Sequence, residues 1–131
     1  MSTPPKTAAD LKGKSGLTRL INATRYSKDG FAAAFKSEEA FRQESILALV
    51  LVVVLPFIPA DLSLKLLAFM SLVFVLVTEL LNSGIEAAID RIGPEIHPMS
   101  KFAKDVGSCA VLFSLICAAV VWITLLWSAF V

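Results

Sequence analysis

The chain has 131 residues, of which 56% are hydrophobic and 18% are charged. This composition is too apolar for an ordinary soluble domain of this size and indicates an integral membrane protein. The formal net charge of +1 conceals an uneven distribution, because eight of the twelve lysines and arginines precede Ser45.

The distribution of basic residues predicts how the chain crosses the membrane. Lys65 alone lies in the turn at 59–65, whereas the last three basic residues follow the second apolar segment. Because cytoplasmic segments carry an excess of lysine and arginine, we expect the N-terminus and the loop at 87–105 to be cytoplasmic. Three spans would then place Val131 on the outer side.

The chain begins with residues that we expect to lie outside the membrane. Residues 1–16 are polar and predict a disordered lead-in. Residues 17–44 predict a surface helix, whose first part is amphipathic. We expect a break in this helix at the polar residues 27–30, which end in a glycine.

Three apolar segments follow, and they predict an all-α integral membrane fold in which residues 17–131 form a single membrane domain. The first span is predicted at about 45–58, which is short for roughly 30 Å of hydrocarbon, so its helix must include preceding residues or lie in a thin patch of the membrane. The second is predicted at about 62–89 and the third at about 106–131, after a loop and a helix that begins near Ser100.

The most informative pattern is a ladder of polar residues near the end of the second span. Glu79, Asn82, Glu86 and Asp90 follow one another at spacings of three, four and four. Helical periodicity places them on one stripe. Ionisable groups inside a membrane are costly, and they mark a functional site by default.

Glu79 lies deepest in this ladder. It is the candidate catalytic base, because a partly desolvated carboxylate at the interface can take a proton from a membrane-bound substrate. The alternative is a buried glutamate that pairs with a neighbouring helix. Glu86 and Glu38, from different elements, could hold Mg²⁺ together with phosphate oxygens, although surface glutamates usually contact only water.

Two further features accompany the ladder. Lys104 and Asp105 open the third span on the same side, where the lysine could neutralise phosphate, and simple snorkelling to the interface is the alternative. Asn82 could hydrogen-bond either neighbouring glutamate. A reaction that joins a water-soluble phosphoryl donor to a lipid hydroxyl requires such a location, and phosphoryl transfer needs positioning, a metal ion and a base.

Three motifs carry a resemblance to a known family. They read Glu38-Glu39-Ala40-Phe41-Arg42-Gln43-Glu44, then Glu79-Leu80-Leu81-Asn82-Ser83-Gly84-Ile85-Glu86, and then Ala103-Lys104-Asp105-Val106-Gly107-Ser108. Together they resemble the small integral-membrane diacylglycerol kinases of prokaryotes, from Gly16 to Phe130. The segments after Tyr26-Ser27 and at Lys101-Phe102 depart from the pattern.

The resemblance implies ATP-dependent phosphorylation of diacylglycerol to phosphatidic acid in the bacterial inner membrane, with Mg²⁺ and a homotrimer whose sites are shared between subunits. It implies that Glu79 is the general base, that Glu38 and Glu86 are metal ligands, and that Asn82 and Asp90 support them. The expected ATP-binding residues are Arg19, Tyr26, Glu38, Glu86, Glu95, His97, Lys104 and Asp105. The expected lipid-binding residues are Arg19, Phe35, Ala40, Phe41, Arg42, Gln43, Glu44, Glu79, Ser108 and Trp122.

Two other functions remain open at this stage. Undecaprenol kinases resemble this chain but typically read Arg-Ile-His where this sequence has Arg42-Gln43-Glu44, which favours diacylglycerol. A small proton-coupled transporter subunit would also use a glutamate within the membrane. Such a subunit would not need Glu38 or Lys104 beside the ladder. No nucleic-acid partner is expected.

Overall fold

A computed structural model of the chain describes Thr7 and residues 16–131, and every element in these residues is helical. The lead-in predicted at residues 1–16 lies almost entirely outside the described residues. The elements are helix α1 at Leu17–Ser37, helix α2 at Glu39–Val54, a 3₁₀ turn at Leu55–Phe57, helix α3 at Leu62–Ile92 and helix α4 at Pro98–Phe130.

Three helical segments in the described part of the chain are long and apolar enough to cross a membrane: Glu39–Phe57, Leu62–Ile92 and Pro98–Phe130. The prediction of an all-α fold with three spans is therefore confirmed. The first span does include residues before Ser45, since α2 begins at Glu39. With 31 and 33 residues, α3 and α4 are each longer than the roughly 30 Å hydrocarbon layer requires.

Helix α1 is continuous where the sequence predicted a break. It runs through Gly30 to Ser37, so the predicted break at 27–30 is wrong. One glycine inside a helix costs only about 1 kcal/mol, and the Ser27 hydroxyl donates a hydrogen bond to the Ala23 carbonyl at 2.9 Å. The chain leaves helical geometry instead at Glu38, whose φ of −103° and ψ of 111° are extended.

Arg42 stabilises the junction that follows α1. Its Nη1 donates to the carbonyl oxygens of Phe35 at 3.1 Å and Lys36 at 3.2 Å. These carbonyls belong to the last turn of α1, where backbone acceptors have no partner within the helix. One side chain from the first turn of α2 therefore donates hydrogen bonds to two backbone carbonyls at the end of the preceding helix.

Helices α3 and α4 form the most extensive pairing in the described fold. Ser114 on α4 is fully buried, and its hydroxyl oxygen lies 2.8 Å from Thr78 Oγ1 on α3. At the other end, the small apolar core contains Leu55, Ala68 and Leu125. This pairing holds the polar residues of α3 against the beginning of α4.

Contacts divide the chain into two units, Met1–Ala33 and Ala34–Val131. No residue of α1 is buried. The second unit contains the last residues of α1 and all three spans.

Candidate active site on helices α2, α3 and α4

The polar ladder lies along the second half of α3. The Glu79 residue is only 7% exposed. Asn82 and Glu86 are half-buried, and Asp90 is exposed. Exposure therefore increases along the stripe, as expected for polar residues that run from the membrane interior toward water.

Acidic side chains from two elements surround Glu79. The carboxyl group of Glu44, on α2, lies within hydrogen-bonding reach of the Glu79 carboxyl group. Glu86 and Glu38 are both close enough to Glu79 to interact with it electrostatically. Like charges at such separations repel one another, so this acidic cluster (Glu38, Glu44, Glu79 and Glu86) favours a nearby cation.

Asn82 connects the acidic cluster to α4. Its Nδ2 donates a hydrogen bond to Glu86 Oε1 at 3.1 Å. Its Oδ1 is buried without a hydrogen-bond partner, and it lies where a β-carbon at Gly107 would be. Gly107 therefore allows the amide to reach its position. The sequence patterns did not reveal this contact, although the glycine belongs to the third motif.

The residues of the cluster fit a divalent cation that arrives with a nucleotide. All of them offer carboxylate or amide oxygen, the ligand type that Mg²⁺ prefers. Within residues 16–131, no group of three or more His, Cys, Asp or Glu side chains is arranged to hold a metal ion unaided. Glu38 and Glu86 could thus supply two ligands, leaving the remainder to phosphate oxygens and water.

A groove of about 380 Å³ lies between the end of α3 and the beginning of α4, and it is lined by some, but not all, of the predicted nucleotide-binding residues of the second unit. Four of them, Glu95, His97, Lys104 and Asp105, line it together with Asp90 and Lys101. We call this the interfacial groove. The sequence patterns did not predict a role for Lys101.

Lys104 links the groove to the acidic cluster. Its Nζ lies 2.5 Å from Asp90 Oδ1, which joins α4 to α3, and it also interacts electrostatically with Glu86. His97 forms the N-cap of α4, and its Nδ1 accepts a hydrogen bond from the Met99 amide at 3.1 Å. Because this bond occupies Nδ1, Nε2 is the ring nitrogen that remains available to a ligand.

Glu44 also lines an apolar cavity of about 210 Å³. Aliphatic side chains of α2, α3 and α4 line it, and Trp122 contributes its indole. Glu44 Oε2 and Trp122 Nε1 are both buried without hydrogen-bond partners. An apolar cavity with one unpaired acceptor and one unpaired donor is suited to a molecule with a polar head and a hydrocarbon tail.

The other predicted lipid-binding residues are dispersed. Phe41 is fully buried, and Phe35 and Arg42 are half-buried. Ala40, Gln43 and Ser108 are exposed, and Gln43 Nε2 donates to Glu39 Oε1 at 3.0 Å. Arg19 and Tyr26 are exposed residues of the first unit.

These observations define a class: a small helical membrane protein whose acidic cluster adjoins an apolar cavity at Glu44 and is linked through Lys104 to a groove that contains lysines. The model of the family described as prokaryotic diacylglycerol kinase matches residues 25–126. The chain therefore belongs to the prokaryotic diacylglycerol kinase family, as its motifs predicted.

Named relatives extend this similarity over most of the chain. A diacylglycerol kinase of Escherichia coli K12 is 46% identical over 116 residues, which cover 88% of this chain and 95% of the relative. A diacylglycerol kinase of Pseudomonas aeruginosa is 45% identical over 115 residues, with coverage of 88% and 94%. One from Helicobacter pylori J99 is 43% identical over 107 residues, with coverage of 82% and 84%.

Proposed function

We propose that this protein transfers the terminal phosphoryl group of ATP to the free hydroxyl of diacylglycerol and so produces phosphatidic acid. The observation that carries the proposal is the buried Glu79 within its acidic cluster, which Glu44 joins to the apolar cavity and Lys104 joins to the interfacial groove. ATP is confined to water and diacylglycerol to the membrane. The interfacial groove offers a surface to the first, and the apolar cavity offers one to the second. The family and its named relatives favour diacylglycerol over undecaprenol as the lipid substrate, and they favour a kinase over a transporter subunit.

Glu79 acts as the general base in this proposal. Its burial supports that role, because a base must be held beside the hydroxyl and away from bulk water. The lipid hydroxyl loses its proton to Glu79 as the oxygen attacks the phosphorus, and ADP leaves from the opposite side. Proton transfer by a positioned side chain typically contributes about 10²- to 10⁴-fold to the rate.

Glu38 and Glu86 would hold Mg²⁺ together with the phosphates of ATP. The cation, when bound, neutralises charge on the phosphoryl group that is transferred. Asn82 keeps one oxygen of Glu86 in a fixed orientation through its hydrogen bond. Asp90 holds Lys104 at the edge of the groove, so it acts on the nucleotide site through that lysine.

The interfacial groove would bind ATP through Glu95, His97, Lys104 and Asp105. Lys104 can attract phosphate, and the beginning of α4 adds the partial positive charge of a helix N-terminus. The family resemblance adds Arg19 and Tyr26 to these contacts.

The apolar cavity would accept the acyl region of diacylglycerol. Glu44 and Trp122 could then hydrogen-bond the glycerol region, because each has a buried polar atom without a partner. The family resemblance adds Phe35, Ser108 and the segment 40–43 to the lipid contacts, and it gives Arg19 a second role there.

We further propose that the protein lies in the bacterial inner membrane, with its N-terminus in the cytoplasm and its C-terminus outside, as a homotrimer with shared sites. The distribution of lysine and arginine supports this orientation. The family resemblance supports the trimer. Many apolar side chains of the three spans are exposed on a single chain, which leaves surface for other subunits as well as for lipid.

The test is a comparison of two lipid substrates. Purified protein in detergent is given radiolabelled Mg·ATP with diacylglycerol or with undecaprenol, and the phosphorylated lipids are separated and counted. We expect label in phosphatidic acid, at least about tenfold less in the polyprenol product, and loss of both when EDTA removes the metal. A preference for undecaprenol would contradict the proposed substrate, and undiminished activity in EDTA would contradict the metal.

A further inference from the structure

Lys101 lies in the interfacial groove and forms an ion pair with Asp105, one turn further along α4. The two side chains remain 64% and 61% exposed. Exposed pairs at this helical spacing contribute only about 0.3–0.5 kcal/mol to stability. The pair therefore adds little to the fold, and Lys101 can leave Asp105 at little cost.

The second lysine of the groove is held differently. Lys104 pairs with Asp90 across the interface of α3 and α4, so its departure would loosen the contact between the two helices. The pair of Lys101 and Asp105 lies within α4 alone. Lys101 can therefore change partners without removing a contact between the two helices.

The charges around the groove also favour a lysine side chain that can change partners. Asp90, Glu95 and Asp105 provide three negative charges, while Lys101 and Lys104 provide two positive ones. A nucleoside triphosphate brings further negative charge to this surface. A phosphate oxygen offers Lys101 a second charge-assisted partner, and a triphosphate carries more negative charge than the single carboxylate of Asp105.

We propose that Lys101 is an additional phosphate-binding residue of the nucleotide site, paired with Asp105 in the free protein and with a phosphate oxygen when Mg·ATP binds. This inference rests on the proposed function, since it assigns the interfacial groove to the nucleoside triphosphate. It also assigns a role to one of the two positions just before the third motif at which the chain departs from the family pattern.

The experiment compares Lys101→Gln, Lys101→Arg and a control, Lys65→Gln, in the purified full-length protein. Lys65 lies near the opposite end of α3, where its Nζ donates to the Pro56 carbonyl. Titration calorimetry with Mg·ATP gives the dissociation constant, and kinase assays give KM for ATP, KM for diacylglycerol and kcat. We expect Lys101→Gln to raise the dissociation constant and the KM for ATP about 3- to 10-fold.

In the same variant, the KM for diacylglycerol and the melting temperature should stay within error of the unsubstituted protein. Lys101→Arg should bind Mg·ATP within about twofold of that protein, since it keeps the charge. An unchanged dissociation constant in Lys101→Gln, or the same weakening in Lys65→Gln, would overturn the inference.

Calorimetry separates this inference from the proposed function. Weakened Mg·ATP binding in Lys101→Gln, found together with no lipid phosphorylation by the unsubstituted protein, would support the role of Lys101 and refute the kinase proposal. Absence of Mg·ATP binding to the unsubstituted protein would overturn both. Active diacylglycerol phosphorylation with unchanged Mg·ATP binding in Lys101→Gln would leave the kinase and remove Lys101 from its site.

Discussion

Asn82 combines two contacts that have different consequences. Through Nδ2 it orients Glu86, and through Oδ1 it packs against the backbone of α4 at Gly107. A buried amide oxygen without a partner is costly in an apolar environment. The close packing at Gly107 therefore has a cost, which indicates that the position of Asn82 matters for more than stability.

The first prediction concerns Gly107→Ala. The added β-carbon would occupy the position of Asn82 Oδ1, so the amide must move and its hydrogen bond to Glu86 must break or lengthen. We expect kcat to fall about tenfold or more, because a small displacement of the groups that position reacting atoms lowers the rate strongly. The magnesium concentration for half-maximal activity should also rise in a kinase assay.

Gly84→Ala is the matched control for this substitution. Gly84 lies on α3 two residues after Asn82, and an added β-carbon there meets nothing within 4 Å. This variant should keep full activity and should gain up to about 1 kcal/mol of helix stability. Equal loss of activity in both glycine variants would contradict the role given to the contact between Asn82 and Gly107.

At the residue scale, the sequence predicted the ladder because its members repeat at helical spacing on one element. It also predicted that Lys104 lies near the ladder. It did not predict that Glu44 approaches Glu79 or that Gly107 receives Asn82, because both contacts join different helices. Helical periodicity determines which residues share a face, whereas the register between two helices depends on packing along their whole length.

At the scale of elements, the junction of α1 and α2 controls where Glu38 lies. The chain becomes extended at this one residue and resumes a helix at Glu39. Arg42 reaches back to two carbonyls of α1 and thereby fixes the junction. Because Glu38 is a proposed metal ligand, the hydrogen bonds of Arg42 also help to position that carboxylate.

The second prediction concerns Arg42→Gln. A shorter neutral side chain cannot satisfy both carbonyls of the last α1 turn, so the junction should open more often. Hydrogen bonds to charged donors contribute roughly 1.5–3 kcal/mol each, and partial exposure reduces this. We expect trypsin to cleave after Lys36 about five- to tenfold faster, as followed by mass spectrometry of the fragments.

Arg91→Gln is the control for the trypsin experiment, since Arg91 is an exposed residue in the last turn of α3. It should leave cleavage after Lys36 unchanged. An Arg42→Gln protein that resists trypsin as well as the unsubstituted protein would show that other contacts hold the junction.

Sequence patterns located the elements more reliably than they located the ends of those elements. Long apolar runs predicted the three spans. A break inside the surface helix was wrongly predicted, because serine, lysine, aspartate and glycine at 27–30 are typical of a turn. The helix continues through this serine and this glycine. The actual break lies at Glu38, where Arg42 hydrogen-bonds the end of α1, and no local pattern reveals that contact.

At the scale of the whole molecule, three spans of one chain leave extensive apolar surface uncovered. Lipid can cover that surface, and so can further copies of the chain. The third prediction is that the purified protein in detergent has a mass corresponding to three chains, as measured by sedimentation equilibrium with density-matched detergent. A monomer with full kinase activity would contradict the proposed trimer and its shared sites.

The central claim is that the carboxylate of Glu79 accepts the proton of the lipid hydroxyl. The measurement that tests it most directly is the rate of diacylglycerol phosphorylation by Glu79→Gln, with Glu39→Gln as a control. Glu39 is an exposed residue of α2 whose Oε1 accepts a hydrogen bond from Gln43 Nε2, one turn further along the same helix. Its substitution should leave the rate unchanged.

For Glu79→Gln we expect kcat to fall about 10²-fold or more. Mg·ATP binding and the mass of the assembly should stay as in the unsubstituted protein, because glutamine fills the same volume. A Glu79→Gln protein that phosphorylates diacylglycerol at the full rate would contradict the account.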